Sequence, residues 1–388
     1  MVKFTILAGG FSQFIATYLF DSDANSLTLV KQSLTGENPS AVNEIPVGIL
    51  QSFVVGSDGG LTLIDTVSSG GNGPTFTNPL STGEVSAVNV SQSNANIDIQ
   101  LTAFCAQFGS PNSSFIATVP GDPLHFLKNS PVVAFPVGNG PSNPHMSLEY
   151  NGEVFVPDLQ GADKIWRIVN DGAPGQFKVH GQIDVDTGSG PRHIAIRDNV
   201  LFTVNELTST LTAQDIPQGP NSTALPLLAN VTTVPPHDFN GSFFAAEILI
   251  SPPSEKFPNP LIYVSNRNLG PQFDKRGDTI AIFEFDFKGS AGTPECHRRM
   301  LKRGQNMRRR QALGSPGGLT LVAQVFTGLK QIRSMSLGPV EGGGDEFLVA
   351  GANVDGGVAM FRRVDGGRNL IEVVRNEEIA NRTSFVFV

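Results

Sequence analysis

Four segments of this chain carry charged or ionisable residues at the two ends of paired apolar runs. They are "NPHMSLEYNGEVFVPDL", "GPRHIAIRDNVLFTVNELTST", "AAEILISPPSEKFPNPLIYVSNRN" and "IRSMSLGPVEGGGDEFLVAGANV". The bracketing residues are His145 with Asp158, Arg192 with Glu206, Glu247 with Arg267, and Arg333 with Asn353. Arginine binds carboxylate or phosphate, and histidine and glutamate transfer protons. The segments therefore predict acid–base chemistry on a small anionic molecule.

Hairpin geometry brings these bracketing residues together. Two antiparallel strands joined by a tight turn place the residue before the first strand beside the residue after the second. Arg192 and Glu206 are thus expected to share one end of a hairpin. If the first strand of each unit is innermost, all four ends converge on one mouth of a central channel. We expect His193, by contrast, to point into the sheet beside Arg192 and to have a structural role.

The four segments are copies of one unit of antiparallel strands, and each is followed by a further strand-like run. Residues Pro39 to Val67 and Gly73 to Val90 supply two more units, the second of them shortened. A last unit combines "KFTILAGG", "FIATYLFD" and "LTLVKQ" with the C-terminal "TSFVFV". This pattern predicts an all-β fold, a seven-bladed β-propeller of four-stranded antiparallel blades closed by N- and C-terminal strands. A stack of β-sandwiches would not repeat one unit in this way.

Composition agrees with one large β-rich domain over residues 1–388. The chain has 42 glycines, 27 prolines and only 16% charged residues, as expected for many short strands joined by turns. A net charge of -8 argues against a nucleic-acid surface. No apolar run is long enough for a membrane helix. We expect a monomer, because a closed ring has no free sheet edge.

Localisation is predicted as cytoplasmic, since the two cysteines, Cys105 and Cys296, cannot build a disulfide framework. Secretion stays an alternative because of six N-glycosylation sequons, at Asn89, Asn112, Asn221, Asn230, Asn240 and Asn381.

A basic insertion occupies about residues 296–315 within the sixth blade, with "CHRRMLKRGQNMRRRQ" at Cys296 to Gln311. Its expected form is an exposed loop, and a nuclear-localisation-like or proteolytic signal is the alternative.

No metal or other cofactor is expected. Oxygen ligands from Asp158, Glu206, Glu247 and Asn353 would suit a hard cation. However, the three arginines predicted at the same mouth would repel a divalent ion. The chain also lacks a G-x-S-x-G elbow, an H-E-x-x-H motif, a Walker loop and a G-x-G-x-x-G fingerprint in a fitting context.

The quoted segments resemble the seven-bladed propeller lactonase family. This family includes bacterial 6-phosphogluconolactonases and the fungal 3-carboxy-cis,cis-muconate lactonizing enzymes. The fungal active-site set is a His in "PH", an Arg in "PRH", a Glu in "NE" and an Arg in "NR", which fall on His145, Arg192, Glu206 and Arg267. The "GPTF" step (Gly73 to Phe76) departs from the family, which often carries a His after that proline.

The resemblance implies a metal-independent cycloisomerase that forms a lactone from a carboxylated muconate. Arg192 and Arg267 would hold substrate carboxylates and stabilise enolate-like charge, His145 would be the acid, and Glu206 would orient it. The expected additional substrate-binding residues are Arg333, Glu247, Asp158 and Asn353. The alternatives are hydrolysis of a phosphorylated sugar lactone at the same mouth and a non-catalytic propeller that binds partners through its loops.

Overall fold

The structure of the protein is a computed structural model. It describes residues 3–35, 48–71, 74–81, 84–89, 97–100, 102–105, 112–136, 142–159, 162–222, 226–286 and 318–388. Cys296 and the basic stretch 296–311 lie outside these residues. In the described part of the chain, the regular elements are β-strands and two short 3-10 helices, Glu341–Glu346 and Asp365–Gly367. None of these residues forms a helix long and apolar enough to span a bilayer.

The strands are short and are numbered in chain order. The first ten are β1 (Lys3–Gly10), β2 (Phe14–Asp21), β3 (Ser26–Leu34), β4 (Ile49–Val55), β5 (Leu61–Ser68), β6 (Pro74–Pro79), β7 (Glu84–Asn89), β8 (Ile97–Gln100), β9 (Thr102–Cys105) and β10 (Asn112–Val119). The next ten are β11 (Asp122–Phe126), β12 (Val132–Ala134), β13 (Leu148–Tyr150), β14 (Glu153–Asp158), β15 (Lys164–Asn170), β16 (Phe177–Asp184), β17 (Pro191–Arg197), β18 (Val200–Asn205), β19 (Thr210–Asp215) and β20 (Asn221–Ser222). The last ten are β21 (Ala229–Thr232), β22 (Phe243–Ile250), β23 (Ile262–Asn268), β24 (Thr279–Phe285), β25 (Leu319–Phe326), β26 (Lys330–Leu337), β27 (Phe347–Asp355), β28 (Val358–Val364), β29 (Asn369–Asn376) and β30 (Arg382–Phe387).

Hydrogen bonding groups these strands into separate small sheets. In spatial order the sheets are β3-β2-β1-β30, β5-β4-β9-β8, β11-β10-β7-β6 with β12 also on β10, β13-β14-β15-β16-β20, β17-β18-β19-β21, β22-β23-β24-β25, and β26-β27-β28-β29. Pairing is antiparallel except between β16 and the two-residue β20. Such short sheets leave their faces to be buried against neighbouring sheets.

One edge strand of each sheet approaches the corresponding strand of the next sheet. Strand β13 contacts β17, β17 contacts β22, β22 contacts β26, and β26 contacts β30. The series continues from β30 to β8 and from β8 to β6. These strands therefore surround a common axis, and the protein has the all-β propeller fold. The expectation that the first strand of each repeat is innermost is confirmed for the sheets that begin with β17, β22 and β26.

Apolar side chains fill the spaces between adjacent sheets. One cluster joins the β17–β21 sheet to the β22–β25 sheet through Phe202, Leu211, Val264 and Phe283. A second cluster joins the β22–β25 sheet to the β26–β29 sheet. Successive side chains of a strand point to opposite faces of its sheet. Because each of these sheets packs between two neighbouring sheets, both of its faces are buried. This explains why strands such as β18 and β23 are buried along their full length.

The strands at the two ends of the chain pair as expected. Strand β1 pairs with β30, with Ile6 opposite Phe387 and Ala8 opposite Phe385. Buried Arg382 adds a side-chain link, because its Nη2 donates to Ser12 Oγ at 2.6 Å. The N- and C-terminal segments thus form one sheet.

The expected units Pro39 to Val67 and Gly73 to Val90 are built differently from the prediction. Strand β4 pairs with β9, so the sheet that starts with β4 and β5 is completed by strands that follow β6 and β7 in the chain. Strand β7 in turn pairs with β10, which belongs to neither of the two predicted units. The physical reason is that the second edge of β4 and of β7 needs a partner, and later segments supply it.

Candidate functional site

The hairpin of β17 and β18 positions the first ion pair. Its turn residues Asp198 and Asn199 have φ values of 51° and 62°, the left-handed pair that a two-residue type I′ turn requires. The turn puts Arg197 opposite Val200 and Pro191 opposite Asn205. At the far end of the hairpin, Arg192 Nη1 donates to Glu206 Oε2 at 2.6 Å. The predicted pairing of Arg192 with Glu206 is confirmed.

A glycine supports this end of the hairpin. Gly190 has a φ of 67°, and its carbonyl accepts the Glu206 N–H at 2.7 Å. A Cβ at Gly190 would lie 3.0 Å from the Leu159 carbonyl oxygen and closer still to the side chain of Leu207. Glycine is therefore required before "PRH" both by backbone conformation and by space.

Arg267 contributes a second cation to Glu206. Its Nη2 lies 2.8 Å from Glu206 Oε2 and also donates to the Ala245 carbonyl at 3.3 Å. Arg192 and Arg267 are both almost fully buried. One carboxylate thus holds two guanidinium groups from different sheets at the axis.

His145 lies against the same arginine. Arg192 Nη1 approaches His145 Nε2 at 2.7 Å. Because a guanidinium group can only donate hydrogen bonds, His145 Nε2 is the acceptor and carries no proton. The backbone N–H of His145 donates to Pro157 O, which confirms the predicted pairing of the His145 segment with the Asp158 region.

His193 joins this group, so the expectation that it points into the sheet is wrong. His193 Nε2 lies 3.2 Å from His145 Nδ1, and His193 Nδ1 lies 2.7 Å from Glu247 Oε1. Ser334 Oγ donates to the other Glu247 oxygen at 3.2 Å. We call the group the axial cluster, comprising His145, Arg192, His193, Glu206, Glu247 and Arg267.

β-Bulges explain why consecutive residues can both enter the cluster. The pairing register shifts between Pro191 and His193, between Ala245 and Ile248, and between Ile332 and Met335. In a regular strand Arg192 and His193 would face opposite sides, whereas a bulge adds one residue and re-aims the side chains around it. Adjacent polar residues at the start of an alternating run, as in "PRH" and "IRS", are the signal that could have indicated these bulges.

Burial and the charges of the nearby arginines set the charge states of the cluster. Burial opposes ionisation of Glu206, but Arg267, Arg192 and Arg333 outweigh it and lower the pKa of this carboxyl to about 2. Burial, aided by the charge of Arg267 and opposed by Glu206, lowers the pKa of Arg192 to about 9. At neutral pH Glu206 is therefore an anion and Arg192 a cation.

His145 is neutral at the same pH. Burial is the main cause that lowers its pKa well below 6.5, and the charge of Arg192 is the next. His193, Arg333 and Arg267 act in the same direction. A neutral imidazole with an unprotonated Nε2 can accept a proton, so His145 is in the protonation state that a general base requires.

Arg333 and Phe76 flank the cluster. The half-buried Arg333 lies with its guanidinium carbon 5.6 Å from the centre of the Phe11 ring, and its charge reaches His145, Arg192 and Glu206. The Phe76 ring meets His193 edge-on at 5.6 Å. Phe76 belongs to the "GPTF" step, so the segment that departs from the family pattern forms one wall of the cluster.

The structure does not bring Asp158 and Asn353 into the cluster. Both Asp158 oxygens are engaged, by Ser142 Oγ at 2.5 Å, the Asn143 N–H at 2.6 Å and Trp166 Nε1 at 2.9 Å. Asn353 donates to Gln331 Oε1 at 3.1 Å. These contacts give Asp158 and Asn353 a role in holding the strands together.

Within the described residues, no three His, Cys, Asp or Glu side chains are grouped so that they could hold a metal ion. The axial cluster instead offers two guanidinium groups for an anion and an imidazole for a proton. Because both arginines are buried, their charges are screened little by water and act strongly on a bound group.

Comparisons with known proteins agree with the fold. Residues 136–324 match the family model described as Lactonase, 7-bladed beta-propeller. No curated protein matches the chain.

Solved structures match over the full length of the chain. A protein from Lactobacillus plantarum has a TM-score of 0.71 at 19% identity, covering 100% of this chain and 99% of its own. The periplasmic gluconolactonase of Pseudomonas aeruginosa has a TM-score of 0.72 at 16% identity, with 100% and 99% covered. A putative 6-phosphogluconolactonase of Bacteroides fragilis has a TM-score of 0.69 at 18% identity, with 100% and 98% covered. All six residues of the axial cluster lie within the segment that matches the lactonase model.

Proposed function

We propose that the protein is a lactonase that binds a small anionic lactone at the axial cluster and opens its ring by attack of water. The observation that carries this proposal is the neutral His145, with an unprotonated Nε2, beside two buried arginines. The lactonase family match supports the same reaction class. So do the structural neighbours, one a gluconolactonase and another a putative 6-phosphogluconolactonase.

In this reaction Arg192 and Arg267 bind the anionic parts of the substrate and of the transition state. Attack on the lactone carbonyl places negative charge on its oxygen, and a fixed buried donor can stabilise that charge by about 3 kcal/mol. Glu206 keeps the two arginines paired before the substrate arrives. The arginines are therefore held in place before they are needed.

His145 takes the proton from the attacking water. In the free protein its Nε2 accepts from Arg192, so the base is available only when Arg192 turns to another acceptor. A carboxylate or phosphate on the substrate is such an acceptor. The anionic group would thus contribute to catalysis as well as to binding.

The low pKa of His145 favours the role of a base over the role of an acid expected from the resemblance, because an acid requires the protonated ring that this low pKa disfavours.

Lactone formation from a carboxylated muconate is the second candidate. It is favoured by one observation, namely that the residues matching the fungal cyclase pattern, His145, Arg192, Glu206 and Arg267, meet in one cluster. In that reaction the arginines hold the substrate carboxylates, and a proton must reach carbon. Glu206, with its pKa of about 2, is a poor source of that proton.

We also propose that the seven sheets are the blades of one closed ring over residues 1–388. Such a ring has no free sheet edge for pairing, so we propose a monomer. A cytoplasmic location is proposed on a separate ground, that the two cysteines cannot build a disulfide framework.

The test is to assay the full-length protein on 6-phosphogluconolactone and on 3-carboxy-cis,cis-muconate. Ring opening is measured as acid release above the spontaneous rate, and ring formation as loss of ultraviolet absorbance. We expect acid release, and a loss of about 100-fold in Arg267→Ala. The matched control is Arg368→Ala, which removes a surface arginine paired with Glu284 and should keep full activity. Turnover of the muconate alone would establish the second candidate, and turnover of neither by a folded protein would refute both.

A further inference from the structure

A chain of hydrogen bonds runs through the axial cluster from Arg192 to Glu247 by way of the two histidines. The groups at its two ends determine which nitrogen of each histidine carries the proton. At one end Arg192 donates to His145 Nε2. A neutral imidazole carries one proton, so the proton of His145 is on Nδ1. This nitrogen faces His193 Nε2 at 3.2 Å, which must then be the acceptor.

The other end of the chain is a carboxylate. His193 Nδ1 lies 2.7 Å from Glu247 Oε1 and donates to it. Glu247 is fixed in turn, because its oxygens also accept from Ser334 Oγ and from the Ile248 N–H at 3.0 Å. Every proton in the chain therefore points in one direction, from His145 through His193 to Glu247.

We propose that Glu247 and His193 form a relay that positions His145 and stabilises it when it accepts a proton. The inference rests on the proposed function, because it deepens the role of His145 as the base. His193 and Glu247 are positioning residues, since they act through His145 rather than on the substrate.

The proton balance of the relay is simple. When His145 Nε2 gains a proton from water, His145 has protons on both nitrogens. Its Nδ1 proton can then move to His193 Nε2, and the positive charge moves to His193 beside the Glu247 carboxylate. On the return path the same proton moves back to His145 Nδ1, and Nε2 releases its proton to the leaving ring oxygen. No proton is gained or lost by the relay in one cycle.

The direct test reads the tautomers in the wild-type protein by nitrogen-15 NMR of labelled histidine. The chain has six histidines, so the spectrum is simple, and His145→Gln and His193→Gln assign the two signals of interest. We expect both residues to show a protonated Nδ1 and an unprotonated Nε2 at pH 7. A protonated Nε2 on either residue would overturn the relay. This result does not depend on activity, so it separates the relay from the proposed function.

Kinetics test the consequence. Glu247→Gln should lower kcat on 6-phosphogluconolactone by about tenfold or more with little change in KM, because the charge on His145 and His193 loses its counter-ion. A merely structural role of Glu247 would raise KM as well, because displaced arginines would bind the lactone less tightly. The surface change Glu284→Gln is the matched control and should leave kcat unchanged. An unaltered kcat in Glu247→Gln would refute the catalytic role of the relay. Correct tautomers in a protein inactive on the lactone would refute the proposed function alone.

Discussion

At the scale of single residues, the site depends on how buried charges change one another. Glu206 is ionised because Arg267, Arg192 and Arg333 outweigh its burial, and His145 is neutral because burial and the same arginines disfavour its protonated form. The sequence predicted the residue types and the Arg192–Glu206 pair. It could not predict the neutral state of His145, because that depends on how deeply the fold buries the ring. Nor could it predict that His193 joins the cluster, since strand alternation places His193 on the other face.

The first prediction concerns Arg333 and the pH dependence of activity. A base works when it is unprotonated, so the low pKa of His145 should keep kcat/KM constant down to pH values below 6.5. Arg333→Gln removes one positive charge near His145, raises its pKa and moves the acidic limb of the profile to higher pH. The charged or titratable groups around His145 are Arg192, His193, Glu206, Glu247 and Arg267 of the axial cluster, and Arg333 beside it.

This prediction is checked by measuring kcat/KM from pH 5 to 8 for both proteins on 6-phosphogluconolactone. The surface variant Arg368→Ala is the control and should keep the wild-type profile. An acidic limb that does not move in Arg333→Gln would show that Arg333 does not act on His145.

At the scale of strands, β-bulges and short turns bring the functional residues to one end of the inner strands. The two-residue hairpin turn at Asp198 and Asn199 could be predicted, because both residue types tolerate left-handed backbone. The bulges on β17 and β26 leave only a weak signal, the adjacent polar residues in "PRH" and "IRS", which also occur at ordinary strand ends. The bulge on β22 leaves no such signal. The order of strands around β4 was missed for another reason, since pairing between distant segments leaves no local pattern.

The second prediction concerns Asp278, which links three strands. Its carboxyl accepts from the N–H groups of Asn268 at 3.1 Å and Gln331 at 2.6 Å. Burial raises its pKa to about 6, above the ordinary value of 3.8. The folded state therefore binds the proton more tightly than the unfolded state. The stabilisation this gives is complete below about pH 4 and is lost as the pH rises to about 6.

Asp278→Asn removes this titration. We expect the free energy of unfolding of the variant, relative to wild type, to rise by about 1 to 3 kcal/mol between pH 4 and pH 7. Urea unfolding at several pH values measures the difference. The control is Asp355→Asn, because Asp355 is exposed and pairs with Lys330 at 2.7 Å. A pH-independent difference for Asp278→Asn would contradict the assignment.

At the scale of the whole molecule, the axial cluster exists because inner strands from separate sheets meet at one axis. His145, Arg192 and Arg267 are distant in the chain and become neighbours only through this arrangement. The sequence repeat predicted the propeller fold and the pairing of the two chain ends, because each unit alone cannot bury its faces. The sheet of β1, β2, β3 and β30 joins the beginning of the chain to its end.

The third prediction tests whether that sheet stabilises the other sheets. Phe385 on β30 is buried in the cluster that joins this sheet to the β26–β29 sheet. Phe385→Ala should lower the free energy of unfolding by about 3 to 5 kcal/mol through the cavity it creates. The single tryptophan, Trp166, lies in β15 of another sheet, and its fluorescence reports unfolding there.

We expect the unfolding midpoint seen by Trp166 to fall in Phe385→Ala. Val388→Ala, at an exposed residue of the same segment, is the control and should leave it unchanged. An unaltered Trp166 transition in Phe385→Ala would indicate that the sheets unfold independently and would contradict a closed cooperative ring.

Acid release from 6-phosphogluconolactone at pH 7, by the wild-type protein and by His145→Gln, decides whether His145 is the base of a lactonase. We expect the wild-type protein to release acid well above the spontaneous rate, and kcat to fall about 100-fold or more when the neutral imidazole at the axis is replaced. A His145→Gln protein with the kcat of wild type would show that His145 is not the base. A folded wild-type protein that releases acid no faster than the uncatalysed reaction would show that the protein is not a lactonase for this substrate.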